Sequence, residues 1–99
     1  MNEIITLIAT QHGVDEYGDQ VTTETSRRVF AKLGSIGQKE FYQAQAIGLQ
    51  PELKFILADY LDYEDETLVE YNGRRYRVLR VYRAHQELEL TVYREVNPA

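Results

Sequence analysis

Apolar and polar residues alternate with period two along much of this chain, and helix-like patterning is confined to one short segment. A period of two sends successive side chains to opposite faces of a strand, so the pattern predicts strands. The clearest lies over residues 52–59, where Leu53, Phe55 and Leu57 alternate with Glu52, Lys54 and Asp59, interrupted by Ile56 and Ala58. Leu88, Leu90 and Val92 alternate in the same way with Glu87, Glu89 and Thr91, predicting a last strand over residues 87–93. Between them, residues 69–71 and 75–82 flank Asn72 and Gly73. Asn-Gly supplies the positive φ angles of a tight type I′ turn, so these two runs predict a hairpin. Upstream, the β-branched run over residues 3–10 predicts a strand that ends in the polar, glycine-containing segment 11–20. A second strand is expected to start near Thr23 and to reach Leu33, with Val29, Ala31 and Leu33 on one side and Arg28, Phe30 and Lys32 on the other.

Gly34 and Gly37 bracket Ser35 and Ile36, after which residues 38–46 carry good helix formers before Gly48 and Pro51 stop them. Segment 34–51 is therefore expected to be a short helix or an ordered loop, with Phe41, Ala44 and Ala46 within reach of one face; the alternative is an arm that orders only on binding. Phe41, Tyr42, Ile47 and Leu49 make it apolar for an idle connection. The expected fold is a single mainly β domain over residues 1–99, a small antiparallel β-barrel or sandwich with one short helical or loop insertion.

With 99 residues, there is room for one core and few deep pockets. Sixteen acidic against 11 basic residues give a net charge of −5, which argues against a protein whose main work is to grip phosphate backbones. The absence of cysteine excludes disulfides and thiolate metal sites. The run Ile4, Ile5, Leu7, Ile8, Ala9 lacks a basic flank and is too short for a signal peptide or a membrane span, so no membrane partner is expected.

The densest charge cluster is Asp59, Asp62, Glu64, Asp65, Glu66 and Glu70. Carboxylates can gather calcium, but this segment has no glycine for the sharp turn of a helical-hand loop, and a solvated acidic loop is the expectation. His12 and His85 fall in polar predicted turns without ligand spacing, and Ser26 and Ser35 lack the context of a nucleophile. No catalytic residue, metal or cofactor is therefore expected, and binding or structure is the better reading. Arg74, Arg75, Arg77, Arg80 and Arg83 interleave with Tyr71, Tyr76 and Tyr82. Arginines and rings on a small barrel suit single-stranded nucleic acid. The plainer reading puts Arg75 and Arg77 on one face, Tyr76 and Val78 in the core, and pairs the arginines with the acidic loop before them. A third use is between subunits, where opposite charges set register.

Taken in order, these segments resemble the head-closure, or head-tail joining, proteins of tailed bacteriophages. The resemblance rests on Asp15, Tyr17, Gly18 and Asp19 in a polar turn; Val29, Phe30 and Ala31 in a strand; Glu40 and Ala44 in the loop; the strand around Leu53 to Leu57; Tyr71, Gly73, Tyr76 and Val78 in the hairpin; and Glu89 and Leu90 at the end. It spans almost the whole chain, and the order and spacing carry it. The chain departs from the pattern at Ala58, Asp59, Tyr60, Leu61 and Asp62, where many relatives bear a basic or aromatic run.

The resemblance implies a structural virion protein, made in the bacterial host cytoplasm. It would assemble with itself, in six or twelve copies, as a ring below the portal and adaptor proteins. There it would close the head after packaging and offer a docking site to tail proteins. Genomic DNA would pass through without sequence-specific binding, and no cofactor is implied. A tail-completion protein of similar fold is an alternative. The expected subunit or partner interface is Glu40, Phe41, Tyr42 and Leu49, with Phe41, Tyr42 and Leu49 as anchors unless they merely cap the barrel. Asp62 and Glu64 of one copy are expected to meet Arg77 and Arg80 of the next.

Overall fold

The structure, a computed structural model, describes residues 2–94; Met1 and residues 95–99 of the expected 1–99 domain lie outside the described residues. The elements are β1 (Glu3–Val14), β2 (Gln20–Gly34), α1 (Gln38–Ala46), β3 (Pro51–Leu57), β4 (Leu68–Tyr71), β5 (Arg74–Ala84) and β6 (Glu87–Arg94), with a 3₁₀ turn at Tyr60–Asp62. Every pairing is antiparallel, and the sheet closes on itself in the order β1-β2-β3-β6-β5-β4. The expected mainly β, antiparallel fold with one short helix is what forms.

Closure gives the sheet one inner face, and the alternating apolar residues fill it. Ile5, Leu7, Ala31, Phe55, Leu57, Val69, Tyr76, Leu88, Leu90 and Val92 make one buried cluster. They meet in register: Leu7 stands opposite Val69, Val69 opposite Tyr76, and Phe55 opposite Leu90. Each fully buried aliphatic or phenyl side chain contributes about 1.5–3 kcal/mol relative to exposure. Tyr71 adds an edge-on contact to Phe55, with 5.2 Å between ring centroids.

The Asn72-Gly73 turn has φ of 52° and 76°, the positive pair expected of type I′. Across β5 and β6 the register slips by one residue at Leu79: Val78 faces Val92, but Arg80 faces Thr91. A bulge of this kind reverses the alternation of the residues after it. Arg80 thereby joins Arg75 and Arg77 on the outer face, which strict alternation from Arg77 would have denied it.

The first hairpin is longer than its apolar pattern implies. Residues 11–14 and 20–22, expected as turn, continue β1 and β2, and the pairing runs unbroken from Glu3 opposite Ala31 to Val14 opposite Gln20. The reason is that β4 meets β1 only at Thr6, Leu7 and Ile8, and β3 meets β2 only from Lys32 to Gly34. Beyond Ile8 the hairpin is a two-stranded arm with no core to cover, so apolar alternation is not required of it. Threonine and valine suffice to hold it extended. The arm stretches the molecule to 49 × 30 × 24 Å, with a radius of gyration of 14.9 Å where a compact chain of this length has about 13 Å.

Helix α1 links β2 to β3 and ends in a Schellman arrangement: Leu49 N–H donates to Ala44 O at 2.9 Å and Gly48 N–H to Gln45 O at 3.0 Å, with Gly48 at φ +78°. Of the face expected from sequence, Ala44 is buried and Phe41 half-buried, but Ala46 is exposed. Glu40, Gln43, Ala44 and Ile47 face the sheet instead. The helix is turned because Glu40 is drawn to a lysine below it.

Candidate functional site

That lysine is Lys54, on the outer face of β3. Its Nζ lies 3.0 Å from Glu40 Oε1, 2.8 Å from Glu40 Oε2 and 3.2 Å from Glu89 Oε1. Thr91, on the neighbouring strand β6, is buried beside it, and Arg80 Nη1 approaches Glu40 Oε1 at 3.6 Å. Burial works to raise the Glu40 carboxyl, yet the hydrogen bond and charge of Lys54, the Gly37 N–H and Arg80 bring it below its ordinary value. Burial likewise pulls Lys54 down, and its hydrogen bonds to Glu40 and Glu89 leave it above the usual lysine value. This cluster, centred on the buried Lys54, fixes how α1 sits on the sheet.

Between α1 and β5 runs a groove of about 170 Å³, walled by Ala44, Ile47 and Leu79 with Gln43 and Arg80 at its rim. Cavities of about 150 Å³ admit a benzene ring, so the groove has room for one aromatic side chain. Of the expected interface residues, Glu40 points inward into the ion cluster. Tyr42 is exposed and meets Phe41 edge-on at 6.1 Å, while Phe41 and Leu49 are half-buried. Tyr42 is the large apolar side chain the helix offers outward, and Ile47, just past its end, leaves the groove wall partly exposed.

In the acidic connection between β3 and β4, Asp62, Glu64 and Asp65 are exposed, as expected of a solvated loop, whereas Glu66 is buried and anchors it. Arg27, which faces Leu7 on the inner side of β2, reaches it from below. Its Nε and Nη2 lie 3.0 and 2.6 Å from Glu66 Oε2, its Nη2 donates to Asp62 O at 2.8 Å, and its Nε is 3.2 Å from Glu64 Oε2. Glu66 is 3% exposed; its other oxygen accepts the Glu64 N–H at 2.6 Å, and its carbonyl accepts the Tyr63 hydroxyl at 2.7 Å. The hydrogen bond to Glu66 is the largest influence raising the Arg27 guanidinium above its already high ordinary value. On the other flank Asp59 Oδ1 accepts the Leu61 N–H and the Gln86 side-chain amide at 3.0 and 2.9 Å, tying the loop to the β5–β6 turn. Loop carboxylates therefore lid one end of the sheet.

Three arginines of β5 have partners other than the loop carboxylates with which pairing was expected. Arg75 forks to Glu24 on β2 at 3.0 and 3.2 Å, and Arg80 pairs with Glu40. Arg83 lies 3.4 Å over the Tyr60 ring and donates to His85 O. The loop's principal cation is Arg27, which the sequence reading did not single out. Its place on an inner-facing, otherwise apolar row of β2 was the available signal. Glu64 lies 3.2 Å from Arg27 of its own chain and Asp62 gives that arginine its backbone carbonyl, while both residues stay exposed.

The arm is the other feature missed. Asp15 shapes its tip: its Oδ1 accepts the N–H groups of Tyr17 and Asp19, both at 2.9 Å. The turn leaves Tyr17 81% exposed, with Val14 and Val21 also exposed beside it. A signal was present, since Glu3, Asp15, Glu16, Asp19 and Glu24 all precede Arg27, the first basic residue of the chain.

Among the described residues, no group of three or more histidine, aspartate or glutamate side chains could hold a metal ion, and no helix is long and apolar enough to cross a membrane. No protein-family model matches this chain, and no curated protein matches it.

Proposed function

We propose that this chain is a head-closure protein of a tailed bacteriophage, which assembles as a ring below the portal and adaptor, seals the packaged head and receives the tail. The observation that carries the reading is the way the resembling motifs fall on the fold. Tyr71, Gly73 and Tyr76 make the β4–β5 hairpin, Leu53 to Leu57 lies in β3, and Asp15 to Asp19 forms the tip of a projecting arm. A small closed sheet with an arm and an outward helix has much surface for neighbours relative to its interior, which suits repeated contacts better than a catalytic pocket. In this reading the chain works without catalysis or cofactor, and the acidic balance lets DNA pass without being held. Single-stranded nucleic-acid binding is less well supported, because Arg75, Arg80 and Arg83 are engaged within the chain.

Electron microscopy of particles from the phage or induced prophage with this gene deleted tests the proposal. DNA-leaking heads beside free, complete tails, rescued by the purified protein, are expected. Filled, stable heads with unfinished tails would move the role to tail completion, and normal infectious particles would overturn both.

A further inference from the structure

We propose that copies of this chain join arm beside arm, the outer edge of β1 in one copy pairing with the outer edge of β2 in the next through backbone hydrogen bonds. The inference rests on the ring reading above and names a contact that would build the ring. Among the described residues, β4 pairs with β1 at Thr6 to Ile8 and β3 with β2 at Lys32 to Gly34, so within the arm β1 and β2 pair with each other alone. Residues 9–14 therefore have one edge without a strand partner, and residues 20–26 another, on the opposite side of the ribbon. Every second residue of an antiparallel ribbon turns its N–H and C=O outward, so each edge offers a row of donors and acceptors.

The composition of these edges favours pairing. Edge strands that stay alone are blunted by lysine, proline, a bulge or shortness. Neither segment holds a lysine, arginine or proline, and the register between them runs without a bulge from Ala9 opposite Thr25 to Val14 opposite Gln20. The two segments carry a single carboxylate, Glu24, in a chain of which 27% is charged, and Arg75 of the same chain forks onto it. Val21, Thr22, Thr23 and Thr25 favour extended backbone. A long, flat, nearly uncharged ribbon of this kind is a template for another strand.

The two edges select a second copy as the partner. They lie on opposite sides of one element, match in length to within one residue and run antiparallel to each other. A neighbour turned about an axis along the arm brings its β1 beside β2 of the first copy in antiparallel sense, so one repeated contact covers both edges and continues the sheet. Pairing β1 with β1 of a second copy would leave both β2 edges bare, and a foreign strand would cover one edge only. The contact is heterologous, the kind that closes into rings. It forms against charge, since each copy has a net charge of −5 and the arm's tip carries Asp15, Glu16 and Asp19. Association is therefore expected to strengthen as salt screens that repulsion.

The chain has no cysteine, which allows a clean cross-linking test on the full-length protein. Gln11 stands opposite Thr23 within a copy, with Val21 and Thr25 on the same face as Thr23. The Gln11→Cys variant is mixed in turn with Val21→Cys, Thr23→Cys and Thr25→Cys variants and oxidised in about 0.5 M salt, where exposed charges are screened. The three partners cover a register shift of two residues either way, the step that keeps faces matched. One mixture is expected to form a disulfide-linked dimer roughly tenfold faster than any variant alone, and faster than the same mixture at about 0.05 M salt. No linkage in any mixture, linkage as fast in the Gln11→Cys variant alone, or linkage that weakens as salt rises would overturn the pairing. The gene deletion separates the two proposals: leaking heads without cross-linking remove this contact and leave the head-closure reading. Cross-linked copies from a gene whose deletion leaves normal particles keep the contact and remove that reading.

Discussion

Arg27 and Glu66, 39 residues apart, hold one end of the closed sheet shut: both Nε and Nη2 of the arginine converge on Glu66 Oε2, at 3.0 and 2.6 Å. The glutamate side chain is only 4% exposed and the arginine 38%. Removing one member of a fully buried pair costs about 3–5 kcal/mol, because the other is stranded. Arg27 keeps contact with water, so Arg27→Met is expected to cost less, about 2 kcal/mol. In a domain of this size that lowers Tm by roughly 8–16 °C. Glu66→Gln keeps the acceptor for the Glu64 N–H and is expected to cost less than Arg27→Met. Urea unfolding of both variants and the double variant checks this. Additive effects would mean that the two side chains do not act as a pair.

The Glu40–Lys54 cluster sets a pH window for the seating of α1. Glu40 is held below its ordinary value in the folded chain, so its contribution is present above the unfolded carboxylate range near pH 4.5 and is lost as pH falls through the lower folded value. Lys54 is held above its ordinary value near 10.5, so its contribution is present below that pH and is lost as pH rises through the higher folded value. Between these limits the cluster is constant. Glu40→Gln is expected to lower the urea midpoint throughout the neutral range, the gap to wild type closing only in acid. A gap that stays constant down to pH 2 would show that the carboxylate's charge plays no part.

Much of this was legible in the sequence where a side chain had a core to face. The alternation of Leu53, Phe55 and Leu57, and of Leu88, Leu90 and Val92, marks inner-face residues that all join the core. The Asn72-Gly73 turn was equally plain, because few residues accept two positive φ angles in succession. The arm was not legible, since a ribbon wet on both faces needs no apolar period. Lys54 read as a solvent-facing strand residue and is buried because α1 lies over it, a tertiary fact its neighbours in sequence do not encode. That Arg80 shares the outer face of Arg75 and Arg77 was not legible for a local reason, the single extra residue at Leu79.

Tyr63 gives a second alkaline signal, independent of Lys54. Burial, with the charges of Asp65 and Glu66 added, pushes its phenol up to about 12. A folded value above the unfolded one near 10 means that its contribution is complete below pH 10 and drains away between about 10 and 12. Tyr63→Phe deletes the hydrogen bond to Glu66 O and is expected to cost about 1 kcal/mol at neutral pH. Above pH 10 its urea midpoint is expected to fall less steeply with pH than that of wild type. Parallel curves would show that the phenol keeps an ordinary value.

Ile8 tests whether the outer face has a buried row of its own. It stands out of phase with Ile5 and Leu7, hence outside the closed sheet, opposite Leu68; yet the two are only 3% and 6% exposed. Arg75 lies in the row of Thr6 and Glu70, and Glu24 in the row of Thr10. Their ion pair, running from β5 to β2, must cross the row between, which carries Leu68 and Ile8. The fork of Arg75 on Glu24 thus spans the row of an apolar pair that lies outside the closed sheet. Ile8→Ala is expected to cost about 2–4 kcal/mol, as in a core. Ile4→Ala, on the same face of the same strand but 54% exposed, is expected to stay within about 0.5 kcal/mol of wild type. Chemical denaturation of the two variants decides it: equal and small costs would mean the outer row is open to water and the Arg75–Glu24 pair covers nothing.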